Sequence, residues 1–269
     1  MIRRTMIAMS AAAICAAVAA GSGVSAADLS AHDIMEKNFF VTKVSSLQLE
    51  STMVLINDKG QERSRRSTGL IKLQPNGIDS KLVVRFDTPA DIKGTSFLQV
   101  EHIDGDDDLW IYLPALKKSR RLVASNKKDS FVGSDFSYAD ITLPKVDQYR
   151  HALLRTEKVD GADCYVVESV PANDGVRANY GYGRKLTWVR ADNFVESKVE
   201  YYDLAGRLWK TQTVSRHELV EPQKARWFAL QREMTNHQNG HRTVLSMAKV
   251  TPGVAAPDEM FTTRYIEQN

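Results

Sequence analysis

Residues 106–140 read DDDLWIYLPALKKSRRLVASNKKDSFVGSDFSYAD. The first apolar and aromatic part, residues 109–113, predicts a β-strand. Pro114 ends it, because proline has no N–H to give to a ladder. A basic run follows, made of Lys117, Lys118, Arg120, Arg121, Lys127 and Lys128. Then Phe131, Phe136 and Tyr138 are spaced among serine, aspartate and glycine. Read as one connection, this segment is long for a compact domain, and such segments often serve as lids or binding loops. The remainder of the chain reads as the scaffold that holds it.

Working outward, strand patterns dominate. Leu47, Leu49, Met53 and Leu55 alternate with mostly polar neighbours, the period of a half-buried strand. Further strands are expected at 63–73, 82–86 and 97–103, separated by the turns Asn57-Asp58-Lys59-Gly60 and Pro75-Asn76-Gly77. Beyond the quoted stretch, strands are expected at 164–169, 185–190, 194–202, 208–216, 227–234 and 242–250. Ala191-Asp192-Asn193, Leu204-Ala205-Gly206 and Asn239-Gly240 supply hairpin turns among them. Ser30 caps a short expected helix over 31–38, and residues 257–265 suit a helical turn. About a dozen strands with few helices predict a mainly β protein built on one curved antiparallel sheet or barrel.

The run WIYLPALKKSRRL followed by DSFVGSDFSYADI resembles a family of periplasmic outer-membrane lipoprotein-sorting proteins, relatives of LolA and LolB. The resemblance implies a single curved antiparallel sheet forming an unclosed half-barrel. A few short helices would cover its concave face, over an apolar cavity that holds acyl chains. No catalytic residue and no cofactor come with the family.

The N-terminus has the form of a secretory signal. Arg3 and Arg4 precede an apolar run over 6–20, and Val24-Ser25-Ala26 offers small residues for cleavage after Ala26. Residues 1–26 are thus expected to be a cleaved signal peptide, and 27–269 one LolA-like domain in the periplasm. Cys15 follows Ile14 inside the apolar run, which does not suit lipidation, and it is lost on cleavage. Cys164 then remains alone in an apolar strand, so no internal disulfide is expected. The formal charge of +3 falls to +1 without Arg3 and Arg4, which gives no argument for nucleic-acid binding.

Enzymatic motifs are weak. His237 and His241 are four apart, but Gln238-Asn239-Gly240 favours a turn over a zinc helix. Asp129, Asp135 and Asp140 lack EF-hand spacing, and neither a nucleophile elbow nor a phosphate-binding glycine loop is present. The expectation is a protein that is not an enzyme and uses no metal.

The candidate cavity residues are Leu47, Leu49, Met53, Leu82, Val84, Phe86, Leu109 and Ile111. Phe131, Phe136 and Tyr138 either pin the loop to the sheet or form a lid that moves with cargo. Lys117, Lys118, Arg120 and Arg121 are either a solvated face or a docking patch for an anionic membrane surface, a lipid head group or an acidic partner. Each basic residue near an anionic bilayer contributes about 1 kcal/mol. The expected function is a carrier or chaperone for lipids or lipoproteins. An accessory subunit of an inner-membrane RND-type exporter, or a structural envelope protein, are the alternatives from other classes.

Overall fold

The computed structural model describes residues 29–143 and 145–268. The expected signal sequence, its expected cleavage site and Cys15 lie outside the described residues. Thirteen strands form one antiparallel sheet. They are β1 (Ser46–Ile56), β2 (Glu62–Leu73), β3 (Ser80–Thr88), β4 (Ser96–Val100), β5 (Asp108–Leu113), β6 (Lys118–Leu122) and β7 (Tyr149–Val159). The rest are β8 (Ala162–Pro171), β9 (Arg184–Arg190), β10 (Glu196–Tyr202), β11 (Leu208–Glu221), β12 (Arg226–Asn236) and β13 (Arg242–Pro252). Their spatial order is 6-5-4-3-2-1-13-12-11-10-9-8-7. The sheet is curved but unclosed, with β6 and β7 as its edges.

This order is two hairpin meanders joined at one seam. β1 pairs with β13, Leu47 standing opposite Pro252. Every other neighbouring pair is consecutive in sequence. Since β6 and β7 are opposite edges, the chain between them, described over residues 123–143 and 145–148, travels from one edge to the other. It does so across the concave face, as a strap.

Register explains which side chains face inward. Leu49 stands opposite Gly69, Gly69 opposite Val84, Val84 opposite Phe97 and Phe97 opposite Ile111. Because the side-chain period is two, these residues share one face with Met53, Leu82, Phe86 and Leu109. The opposite face of β2–β5 carries Leu70, Val83, Leu98 and Tyr112. It is covered by Phe261 and by Ile266 of α4 (Thr263–Glu267). The C-terminal helix therefore packs outside the curve.

Helix α1 (Ala31–Val41) begins at Ser30, which forms a capping box with Asp33. It buries Ile34 against Tyr165, Val167 and Val189, on the inner face of β8 and β9. Helix α2 (Tyr138–Ile141) lies in the strap, and α3 (Asp174–Tyr180) follows β8.

The sheet corrects one expectation. Residues 118–122 are strand β6, paired with β5 so that Ile111 faces Arg120 and Leu109 faces Leu122. The long connection is thus a tight hairpin, turned through Pro114–Leu116 and a left-handed Lys117, followed by the strap proper. Strand β7 has no counterpart in the expected set. Helix α1 runs three residues past its expected end, and β11 continues to Glu221.

Candidate functional site

Beneath the strap the inner face carries two adjoining spaces. The first is apolar, with about 1210 Å³ of empty volume partly open to solvent. Its floor comes from β1, β2 and β3 through Leu49, Met53, Ile71, Leu82, Val84 and Phe86. Leu245 and Met247 of β13 and Phe228 of β12 form the far wall. Phe131, Phe136, Ile141 and Leu143 of the strap supply the cover.

The strap is fixed by aromatic packing and by polar ties. The ring of Phe131 lies 5.5 Å from that of Phe97 and 5.5 Å from that of Tyr138, and 6.1 Å from that of Phe86. The Arg65 guanidinium donates to the Val132 carbonyl. Thr243 Oγ1 donates to Asp135 Oδ2 at 2.7 Å. Lys210 of β11 meets Asp140 of α2 at 2.5 Å, and both side chains are almost wholly withdrawn from water. Tyr182 donates to the same carboxylate at 2.6 Å. Burial beside Asp140 holds the Tyr182 phenol well above its ordinary range.

The sequence-derived candidates divide on this geometry. Leu49, Met53, Leu82, Val84 and Phe86 line the apolar space. Leu109 and Ile111 share the same face but pack into the cluster with Phe97, Phe131 and Tyr138, away from the open volume. Leu47 packs instead with Val44 and Val220. Phe131 and Phe136 form the cover, and Tyr138 stands behind them; burial pushes its phenol up to about 12. Lys117, Lys118, Arg120 and Arg121 are exposed on the β5–β6 hairpin, with Arg121 paired to Asp108 at 2.6 Å. Lys127, grouped with them in the basic run, is instead buried and meets Asp107 at 3.4 Å. Cys164 is buried. His237 lies in the β12–β13 turn, 2.8 Å from the Thr211 hydroxyl.

The second space was not legible from alternation. It has about 840 Å³ of empty volume and lies between α1, the strap and β7–β12. Lys185, Thr187, Glu196, Gln212 and Arg232 project into it, with Tyr149 and Tyr201. The available signal was polar residues on inward-facing strand positions. Thr42, Asp140, Leu143 and Arg232 line both spaces, so one opens beside the other.

A half-barrel with a strapped inner cavity is the class this architecture defines. A family model described as "Uncharacterized protein" matches residues 78–268. No curated protein matches the chain. Among solved structures, an outer membrane lipoprotein-sorting protein domain from Vibrio parahaemolyticus is 30% identical with a TM-score of 0.81. That match covers 88% of this chain and 98% of the other. A DUF1329 family protein from Desulfovibrio piger is 31% identical with a TM-score of 0.80, covering 88% and 97%. A LolA superfamily protein from Nitrosomonas europaea, 24% identical with a TM-score of 0.67 over 88% and 99%, shares the fold. The chain belongs to the family of the first two of these proteins, described as outer membrane lipoprotein-sorting and as DUF1329, and it shares its half-barrel fold with the LolA superfamily protein.

Proposed function

We propose that this protein is a periplasmic carrier that holds the acyl chains of lipids or lipoproteins in its apolar cavity and serves outer-membrane biogenesis. The observation that carries this reading is the strapped space floored by Leu49, Met53, Leu82, Val84 and Phe86. Burying an acyl chain there gains about 0.8 kcal/mol per methylene. The work is reversible binding, and the reading assigns the protein no covalent chemistry. The strap is the element that has to yield for a chain to enter or leave.

The exposed basic hairpin supports a docking surface at the β6 edge. Its partner in this reading is an anionic membrane surface or an inner-membrane exporter that delivers or receives the cargo. Either would be held transiently, by charges that salt screens.

Leu82 and Val84 are only half-buried, so a carboxylate at either position reaches the water in an empty cavity. Leu82→Glu and Val84→Glu should therefore keep the β-sheet circular dichroism spectrum. Both should lose binding of a fluorescent fatty acid. Mass spectrometry of organic extracts from the purified wild-type protein should find co-purified acyl lipid. Folded variants that bind as wild type does, together with lipid-free extracts, would overturn the carrier reading.

A further inference from the structure

The chamber beside the apolar cavity gathers several charged and polar side chains among its apolar ones. Its two carboxylates are already engaged. Asp140 accepts from Lys210, Tyr182 and the Ser137 backbone N–H. Glu196 accepts from Gln212 Nε2 at 2.9 Å and faces Arg232 at 3.6 Å. Lys145 donates to three backbone carbonyls. Lys185 differs from these groups. Among the described residues no carboxylate lies within 4 Å of its ammonium and no hydrogen bond satisfies it. It rests over the Tyr149 ring, 4.2 Å from the centroid.

Two further groups wait for a partner. Tyr149 is 5% exposed and Gln212 is 2% exposed. Among the described residues the Tyr149 hydroxyl and Gln212 Oε1 have no hydrogen-bond partner. Buried polar atoms of this kind are rare and costly when left unpaired. One surplus cation, an idle phenol donor, a guanidinium at the shared wall and an idle acceptor make a set of complementary chemistry. An oxyanion with several oxygens takes the donors, and a neighbouring hydroxyl takes Gln212 Oε1.

We propose that this chamber binds the phosphate head group of an amphiphile whose acyl chain lies in the apolar cavity, with Lys185 and Tyr149 as the principal contacts. The proposal rests on the carrier reading and names its cargo class. Donors reach the chamber from β7, β9 and β12, which suits the several oxygens of a phosphate better than a two-oxygen carboxylate. The common wall of Thr42, Asp140, Leu143 and Arg232 is where head and chain would join.

The test compares oleoyl lysophosphatidate with monoolein, two ligands with one chain and different heads, by displacement of a fluorescent fatty acid. Wild type should bind lysophosphatidate at least about tenfold more tightly, the lower end for a hydrogen bond to a charged group. Lys185→Met should bring the two affinities together. Inorganic phosphate alone should bind at least about a hundredfold more weakly than the lipid, since it lacks the chain. A third arm needs no variant. Burial lowers the Lys185 ammonium to about 8, against the pull of Asp140 and Glu196. The preference should therefore shrink as pH rises from about 7 to about 9.5.

The other titratable groups facing Lys185 do not mimic that loss. His151 is lowered by burial and titrates below this window, and Tyr149 and Tyr201 are held well above it. Equal affinity of wild type for the two lipids overturns the head-group site and leaves the carrier reading intact. A preference that persists in Lys185→Met or at high pH does the same, as does free phosphate binding as tightly as the lipid. Loss of both lipids from wild type is the separate outcome that sinks the carrier reading itself.

Discussion

Gly183 is the position where a single methyl group matters most clearly. It stands before β9, and a Cβ there would lie 2.7 Å from the Asp203 carbonyl oxygen, a backbone atom that cannot swing away. Gly183→Ala should cost about 1–3 kcal/mol, as overpacking does, and lower the melting temperature. Gly105→Ala is the matched control, since a Cβ there meets nothing within 4 Å. His151 and His217 make a second residue-scale test. Burial lowers both imidazoles and outweighs the carbonyls of Val146 and Glu196, which each ring meets and which pull the other way. The unfolded chain then binds more protons than the folded one below about pH 6.5. Stability is full above that value and falls as pH drops through the lowered folded-state values. Burial raises the Glu101 carboxyl against the pull of Lys43, which acts in the opposite sense at lower pH. Melting curves at about pH 7.5 and pH 5.5 should therefore be compared with those of His151→Gln and His217→Gln, which leave Glu101 in place. The variants should lose less stability on acidification than wild type does.

Among the elements, the strap and the hairpin before it divide the roles. Lys210→Met removes the cation beside the buried Asp140 carboxylate and should destabilise by about 3–5 kcal/mol. Changing both, Lys210→Met with Asp140→Leu, should recover much of that loss, because the buried pair itself is near break-even. Reversing Lys117, Lys118, Arg120 and Arg121 should move the melting temperature little, because these charges are exposed. Association with anionic vesicles should fall, and the wild-type association should weaken with salt. The sequence made most strands readable because one face of each is buried, as the alternation of Leu47, Leu49 and Met53 illustrates. The two strands it concealed are β6 and β7, the edges of the sheet. Residues 118–121 are largely exposed and residues 153–156 wholly so, so neither strand carries an apolar period. Lys118, Arg120 and Arg121 make β6 a charged edge that resists pairing with other chains, whereas β7 exposes Leu153 and Leu154 together with Arg155 and so shows no alternation. The apolar floor was legible by the same alternation. The polar chamber was not, because nothing in β9 says that Lys185 and Thr187 face inward while Leu186 and Trp188 face out.

At the scale of the molecule, the joint between the meanders carries the most weight. Leu47 and Pro252 are partners across 205 positions (252 minus 47), whereas the other strand pairs close through neighbouring turns. Local hairpins form early and distant pairings late, since a long loop must be closed before any contact rewards it. Folding should therefore proceed as two separate half-sheets that zip together last. Pulsed hydrogen exchange should find the amides of β1 and β13 protected after those of β2–β5 and β8–β11. A chain ended before Arg242 would leave β1 and β12 as bare neighbours with unpaired backbone groups, and it should aggregate where the full chain stays dispersed. On a ribosome the same logic sets a clock: β13 emerges after every other strand, so the cavity wall at Leu245 and Met247 comes into being only once synthesis has passed it.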